Sequence, residues 1–388
     1  MGENFETFKY INNIIFYKTI GIKKFNEKYR DLFEDNERKS IKKDLYNWNL
    51  EFSNYKKDLD YILNEEFQKI HKLLDPFKNY KNFIKTKYNA QNVSNAWLKM
   101  YEILMVFKIG DYYKDKHIKV FFNCEFPGSF IFGFNHYIRT LYKDKTYDWV
   151  GNSYIDFGAG YLDDRYGLYK KYRKHWFMNS NFNGDITNLK NIEFFEKHFE
   201  TNKVDLYTSD GAILCEDYKE EETNSIINLC QFYIGLLSLK PGGILIVKHF
   251  SLFTTNSIVS IYLLSYLFDK LYTYKPISSR EFNDELYTIC VGFKNNFNGR
   301  IKEMFYDLIV NHKISYDIPD YISLSFLIKY FSQYIFIKRN TQYKLIKTIT
   351  KSLENSKLSE IESDLYLKNI NTIRKFPDIK FLDSKFHL

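Results

Sequence analysis

The 388 residues carry 45% hydrophobic and 27% charged side chains, which excludes a disordered chain and fits a folded one with one large domain and appendages, or two to three small domains. Four cysteines (Cys124, Cys215, Cys230, Cys290) have neither C-x-x-C spacing nor histidines clustered with them, which argues against a disulfide framework or a zinc module and for a reduced, cytoplasmic chain. The net charge of +8 sits in the flanks: residues 1–90 hold 18 Lys+Arg against 14 Asp+Glu and residues 296–388 hold 15 against 10, while the middle holds 23 against 24. Basic flanks around a neutral centre suit a polyanion gripped from the periphery; solvated helical faces are the plainer explanation. The 19% aromatic content admits two readings as well, base stacking or the codon bias of an AT-rich genome.

In chain order, the first twenty residues lack the basic segment and long apolar core of a signal peptide. Residues 20–85 space apolar side chains three and four apart with charges between, so a helical N-terminal region over 1–88 is expected, with Asp75-Pro76 ending a helix. "VSNAWLKMYEILMVF" (93–107) reads as a helix capped by Ser94 or Asn95. The texture then changes. "HIKVFFNC", "YDWVGNSY" and "KVDLYTSDG" read as strands, with a helix through "NHYIRT" after the turn "EFPGSF". A helix through "SIINLCQFYIGLLSL" is stopped by Lys240-Pro241-Gly242-Gly243 and followed by the strand "ILIV", which runs into Lys248. "SIVSIYLLSYLF" (257–268) is too short to span a bilayer and reads as a buried helix, so no membrane partner is expected. "KLYTYKP" and "ELYTICVGF" are two late strands able to pair antiparallel at the sheet edge. Residues 296–388 return to helical spacing. The alternation predicts an α/β fold, a doubly wound Rossmann-like sheet over 89–295 with helices on both faces, flanked by helical terminal regions.

Ligands of such sheets bind outside the carboxyl ends of the strands. There the sequence places the Pro-Gly turn of "CEFPGSF", Asp210 of "SDG", and Lys248. The turn is neither GxGxxG nor a phosphate loop. Asp210 and Lys248, at neighbouring strand ends, are by themselves more readily a partly buried ion pair than a catalytic one.

Six ordered motifs, "NAWLKMYEIL", "CEFPGSFI", "GDIT", "DLYTSDG", "LKPGGILIVKHF" and "KPISSREFNDELY", resemble the FtsJ-like (RrmJ-type) ribose 2′-O-methyltransferases. The likeness is strongest to the cap-methylating branch found in large cytoplasmic DNA viruses, and covers residues 90–295. The resemblance implies a Lys-Asp-Lys-Glu tetrad carried by Lys99, Asp210, Lys248 and Glu285, and S-adenosylmethionine as cofactor, with no metal. It implies that Pro127, Gly128, Ser129 and Phe130 approach the methionine end of the cofactor and that Asp185 faces its adenine. Two positions depart from the pattern: Ser129 stands for a second glycine, and Phe122 for a frequently acidic residue, leaving Glu125 or Asp210 to meet the cofactor's ammonium group. The implied activity is methylation of RNA ribose, with the 5′ cap region of mRNA as the expected substrate, and with ribosomal RNA or a non-catalytic RNA-binding subunit as alternatives. A viral source would place the chain in host cytoplasm or virion. A lysine with a pKa of about 10.4 is no base at neutral pH, so Lys248 is expected as general base with Lys99 depressing its proton affinity and the carboxylates orienting both. Tyr166, Tyr169, Tyr172 and Trp176, interleaved with Arg165, Lys170, Lys171, Arg173 and Lys174, are candidates for base stacking and phosphate contact, or else a packed connection. The helical flanks are candidates for protein partners.

Overall fold

The computed structural model describes residues 74–323 except 157–162, 180, 216–218 and 281–282, together with 14–18, 326–327, 358–388 and isolated positions between 43 and 54. A seven-stranded mixed sheet forms from β1 (Ile14–Lys18), β2 (His117–Asn123), β3 (Thr146–Gly151), β4 (Val204–Ser209), β5 (Leu239–His249), β6 (Phe268–Tyr274) and β7 (Leu286–Phe293) in the order β1-β6-β7-β5-β4-β2-β3. The β2–β3, β2–β4 and β4–β5 pairs are parallel; β5–β7, β6–β7 and β1–β6 are antiparallel. After β2 the chain leaves first toward β3 and later returns toward β4, which opens a crevice at the carboxyl end of β2.

Helices cover both faces. On one lie α1 (Tyr80–Lys87), α2 (Asn95–Val106) and α3 (Ser129–Leu141); on the other lie α4 (Leu189–Phe199), α5 (Ser225–Ser238), α6 (Thr255–Leu267) and α7 (Gly299–Val310). The period-2 alternation of strand side chains divides the core between them. Leu245 and Val247 of β5 face α5 and α6, whereas Ile244 and Ile246 face the side of α2 and α3. Among the described residues no helix is long and apolar enough to cross a membrane.

The doubly wound α/β expectation holds, with several local differences. Ile14–Lys18, inside the segment expected to be helical, is a strand against β6; its run of Ile, Ile, Phe and Tyr is β-favouring. Most of the remaining 20–73 stretch lies outside the described residues. Asp75-Pro76 does sit in a turn, where the Asp75 carboxylate accepts from the Phe77 N–H at 3.1 Å. Helix α5 ends at Ser238, ahead of Lys240-Pro241-Gly242-Gly243, which already belongs to β5 where its register against β4 shifts. Of the two late strands, β7 inserts between β5 and β6 and so is interior.

The segment after 296 is not wholly helical, and its described parts pack on the core. Helix α7 packs on α5 and α6, and α8 (Leu358–Arg374) leads into an irregular tail laid across α2 and α3. The Tyr101 hydroxyl donates to Asp378 O at 3.0 Å, Asn135 Nδ2 to Phe386 O at 2.9 Å, and His136 Nε2 lies 2.8 Å from Lys380 O. Phe376, Ile379 and Leu382 are buried. Truncating a buried phenylalanine removes its transfer energy and leaves a cavity, so Phe376→Ala is expected to lower stability by about 3 kcal/mol in urea unfolding. A loss below about 0.5 kcal/mol would mean that the tail is not docked.

Candidate active site

Strand alternation gathers the site. Lys248 continues the Ile244–Ile246 row toward α2, and Tyr287, its partner in the antiparallel β5–β7 register, lies on the same face with Ile289. Asp210 directly follows β4 and Glu285 directly precedes β7. Lys99 arrives from α2, whose N-cap Ser94 accepts from the Trp97 N–H at 3.1 Å, as expected of a serine before an apolar helix.

Two ion pairs result. Lys99 Nζ donates to Glu285 Oε2 at 2.7 Å; Lys248 Nζ lies 3.2 Å from Asp210 Oδ1 and donates to the Asp210 backbone carbonyl at 2.6 Å. All four side chains are only 8–16% exposed. Burial pushes the Lys99 ammonium toward losing its proton, but Glu285 and Asp210 more than offset this and raise its pKa overall. Burial works against the Glu285 carboxylate, and Lys99, Lys248 and Lys275 together reverse it, holding Glu285 below the usual carboxylate range.

Residues not singled out in the sequence hold these four in register. Glu102, one turn along α2 from Lys99, is fully buried; it accepts from Ile277 N–H at 2.7 Å, Ser278 N–H at 3.0 Å, the Ser278 hydroxyl at 2.6 Å and the Tyr274 hydroxyl. This fastens residues 274–278 to α2. The next residue, Ser279, donates to Glu285 Oε1 at 2.8 Å, and Lys275 Nζ donates to the Glu285 carbonyl at 3.0 Å. Tyr287 donates to Asp210 Oδ1 at 2.8 Å. Gln231 of α5 accepts from the Ser209 hydroxyl at 2.7 Å and the Gly211 N–H at 2.9 Å, pinning the chain on both sides of Asp210. An acid inside the apolar run "NAWLKMYEILMV", and a tyrosine two residues beyond Glu285 on one strand face, were the available signals.

The turn after β2 is built as a cradle. Gly128 has φ +117°, a conformation that strains any L side chain, and a Cβ there would also run into Leu168 Cδ2, so glycine is required. Ser129, in place of the second glycine, accepts from the Ser94 hydroxyl at 2.9 Å, tying the turn to the cap of the Lys99 helix. Glu125 turns back onto the start of α3, where Oε1 accepts from Phe130 N–H at 2.6 Å and Ile131 N–H at 3.2 Å. Burial, with Asp210 nearby, pushes its carboxyl well above the usual range. Phe122 packs edge-on to Phe134 and Trp149. Asp185 Oδ1 accepts from the Thr187 N–H at 2.9 Å and hydroxyl at 2.7 Å, an Asx turn beside Gly184. At the carboxyl end of β3, Asn152 Oδ1 is buried with no hydrogen-bond partner among the described residues. Carboxylates on both sides of the turn and a buried acceptor awaiting a donor fit a cofactor with cationic sulfonium and ammonium groups and donor hydroxyls.

The segment 163–176 splits in its behaviour. Tyr169 and Trp176 are buried and Tyr166 and Tyr172 half-buried, against Phe126, Phe132 and Trp149, so the aromatics serve mainly as packing and not as free stacking surfaces. Arg165, Lys170, Lys171, Arg173 and Lys174 are exposed.

Two expectations follow from this arrangement. Glu102→Gln turns an amide N–H toward donors that need an acceptor, costing about 2 kcal/mol in denaturant unfolding, and Ser278→Ala adds little on top of it; full additivity of the two would deny the shared network. Lys99→Met leaves Glu285 without its nearest ammonium and costs about 3 kcal/mol. Glu285 is stabilising as an anion, fully above its ordinary 4.5, with loss as pH falls toward its lowered folded value; Lys99 is stabilising as a cation below its ordinary 10.5. The wild-type advantage in Tm is therefore flat from about pH 6 to 9 and shrinks below 4.5.

Comparison with known proteins gives the family. The sequence model of the FtsJ-like methyltransferases matches residues 92–293. A protein of African swine fever virus named a probable methyltransferase is 37% identical over 230 residues, covering 56% of this chain and 53% of that protein. The cap-specific mRNA (nucleoside-2′-O-)-methyltransferase 2 of Danio rerio is 30% identical over 222 residues, covering 54% of this chain and 30% of that protein. The chain thus spans about half the length of the viral relative and less of the fish enzyme. A crystal structure of a ribosomal RNA methyltransferase, putative, from Plasmodium falciparum superposes with a TM-score of 0.32 at 20% identity, covering 52% of this chain and 97% of that one. With its family motifs spanning more than half its length, the chain belongs to the FtsJ-like methyltransferases, and its cofactor is S-adenosylmethionine.

Proposed function

We propose that this methyltransferase acts on RNA, methylating a ribose 2′-hydroxyl in the 5′ cap region of mRNA, with Lys248 as general base. The observation that carries the reading is the pair of crossed ion pairs, Lys99–Glu285 and Lys248–Asp210, at the carboxyl edge of the sheet beside the Gly128 turn. The cap specificity rests on the likeness to the fish enzyme's sequence and to the viral branch.

S-adenosylmethionine supplies, when bound, a methyl carbon on a sulfonium, open to in-line displacement. The ribose hydroxyl must lose its proton as it attacks, and only a neutral amine or a carboxylate nearby can take it. Lys99 is poorly suited, since Glu285 and Asp210 hold it as an ammonium. Its fixed charge and N–H groups instead suit it to orient the hydroxyl oxygen. Lys248 is anchored through both the side chain and the carbonyl of Asp210, so its nitrogen has a fixed direction. In the reactive form it is the neutral amine, which accepts the hydroxyl proton while Asp210 and Glu285 balance the resulting charge. Positioning of nucleophile and base on rigid strand ends supplies much of the rate. Glu125, Pro127, Gly128, Ser129, Phe130, Asp185, Asp210 and Asn152 are the residues proposed to hold the cofactor.

Lys248→Ala is expected to abolish transfer of label from S-adenosylmethionine to a short capped RNA, with cofactor binding by calorimetry retained. Mapping of the modified nucleotide should find a 2′-O-methyl ribose next to the cap. Full activity of Lys248→Ala would remove the base from the scheme, and label on ribosomal but not capped RNA would move the substrate.

A further inference from the structure

We propose that α1 and residues 374–388 together form a platform for single-stranded RNA, separate from the catalytic edge; this rests on the RNA reading above. Helix α1 buries Ile84 and exposes Phe83, Lys85 and Lys87. Phe83, 42% exposed, is held by stacking on Tyr80 at 5.0 Å and by the Lys87 ammonium, 5.0 Å from its centroid. The tail is fastened at the end of this helix: Leu382 N–H donates to Tyr88 O at 3.0 Å, and Asn89 Nδ2 donates to Leu382 O at 2.8 Å and Ser384 Oγ at 2.9 Å. That brings Lys380, Phe381 (65% exposed) and Lys385 alongside Tyr88, whose ring meets Phe83 edge-on at 6.2 Å.

A merely solvated helical face would show charge without large exposed rings. Here two exposed phenyl rings, Phe83 partly covered by Tyr80 and Lys87 and Phe381 more open, lie among lysines contributed by both basic flanks. In the stretch 74–91 four lysines stand against one carboxylate, Asp75, which is buried, accepts from Phe77 N–H and Asn95 and lies 3.6 Å from Lys81 Nζ; the tail adds Arg374, Lys375, Lys380 and Lys385 against Asp378 and Asp383, the latter 3.0 Å from Lys385 Nζ. Ring faces for bases and ammonium groups for phosphates are the two components that bind a flexible nucleic-acid strand without reading its sequence. The platform adjoins the site: Lys81 Nζ donates to Asn95 Oδ1 at 2.6 Å, at the first residue of α2, about one turn before Lys99. RNA whose ribose reached Lys99 and Lys248 could lay its following nucleotides here.

The test uses the full chain, a 20-nucleotide single-stranded RNA and a 4-nucleotide RNA with the same 5′ end, with fluorescence anisotropy over a range of salt. Lys85→Glu/Lys87→Glu is expected to weaken 20-mer binding about tenfold at low salt and to reduce the log–log salt slope by about 1.4, the single-strand value for two lost phosphate contacts. Phe83→Ala/Phe381→Ala is expected to weaken it about fivefold or more with the slope kept. Binding of the 4-mer stays as in wild type, as do Tm and calorimetric cofactor binding; should the glutamates impair folding, Lys85→Gln/Lys87→Gln carries the same slope test. Unchanged 20-mer binding in the folded variants, as expected of a protein-docking face, overturns the platform even if the wild type methylates RNA. Equal loss for both RNAs overturns it too. Weakened 20-mer binding in a chain whose wild type methylates no RNA would leave the platform standing and sink the methylation reading alone.

Discussion

Two lysine ammonium groups withdrawn from water are tolerable only beside two carboxylates, and that requirement organises the carboxyl edge of the sheet. Three of the four groups come from strand ends: alternation sets the face of Lys248 within β5, while Asp210 and Glu285, one residue beyond β4 and one before β7, are held by Gln231, Tyr287 and Ser279. The fourth comes from a helix, and its position depends on how α2 seats against the sheet. Glu102 secures that seat: one buried carboxylate gathers the hydrogen bonds of residues 274–278 and thereby fixes the distance between Lys99 and the segment that orients Glu285. Charge pairing and helix docking are one constraint at this point.

Much of this was legible in the sequence. Strands β2 to β7 and the Ser94 cap follow from periodicity and local spacing, because each depends on a short run of residues; Lys99, Asp210, Lys248 and Glu285 were pointed to by the family resemblance, and the structure brings these four side chains together. What escaped was tertiary. Nothing near Gln231 says that its amide will bracket Asp210, and nothing near Ser279 says that its hydroxyl will meet Glu285. The aromatics at 166–176 left two readings open, a stacking surface or a packed connection, and the structure decides for packing at Tyr169 and Trp176, which lie against Phe126 of the Pro127-Gly128 turn. Burial of a tyrosine is decided by what lies across from it, which spacing does not encode.

The family match ends at 293, yet the packing does not. Strand β1 extends the sheet beyond β6, α7 thickens the layer over α5 and α6, and the tail covers α2 and α3. The tail contacts concern the helix that bears Lys99 and the helix that begins at the Gly128 turn. Residues far from the motifs in sequence therefore contribute to the stiffness of the site, and a boundary drawn from the motifs alone would cut through a continuous core.

The hydroxyl contact between Ser94 and Ser129 carries a consequence for how this sequence can change. A glycine at position 129 would leave the Ser94 cap intact but take away the acceptor of its proton, and an alanine at 94 would strip both the cap and the donor. The two positions are thus unequal in their tolerance: drift at 129 is cheap while 94 stays serine, and drift at 94 is costly whatever stands at 129. A lineage holding this pair has a preferred order of substitutions, set by a single hydrogen bond between a helix cap and a turn.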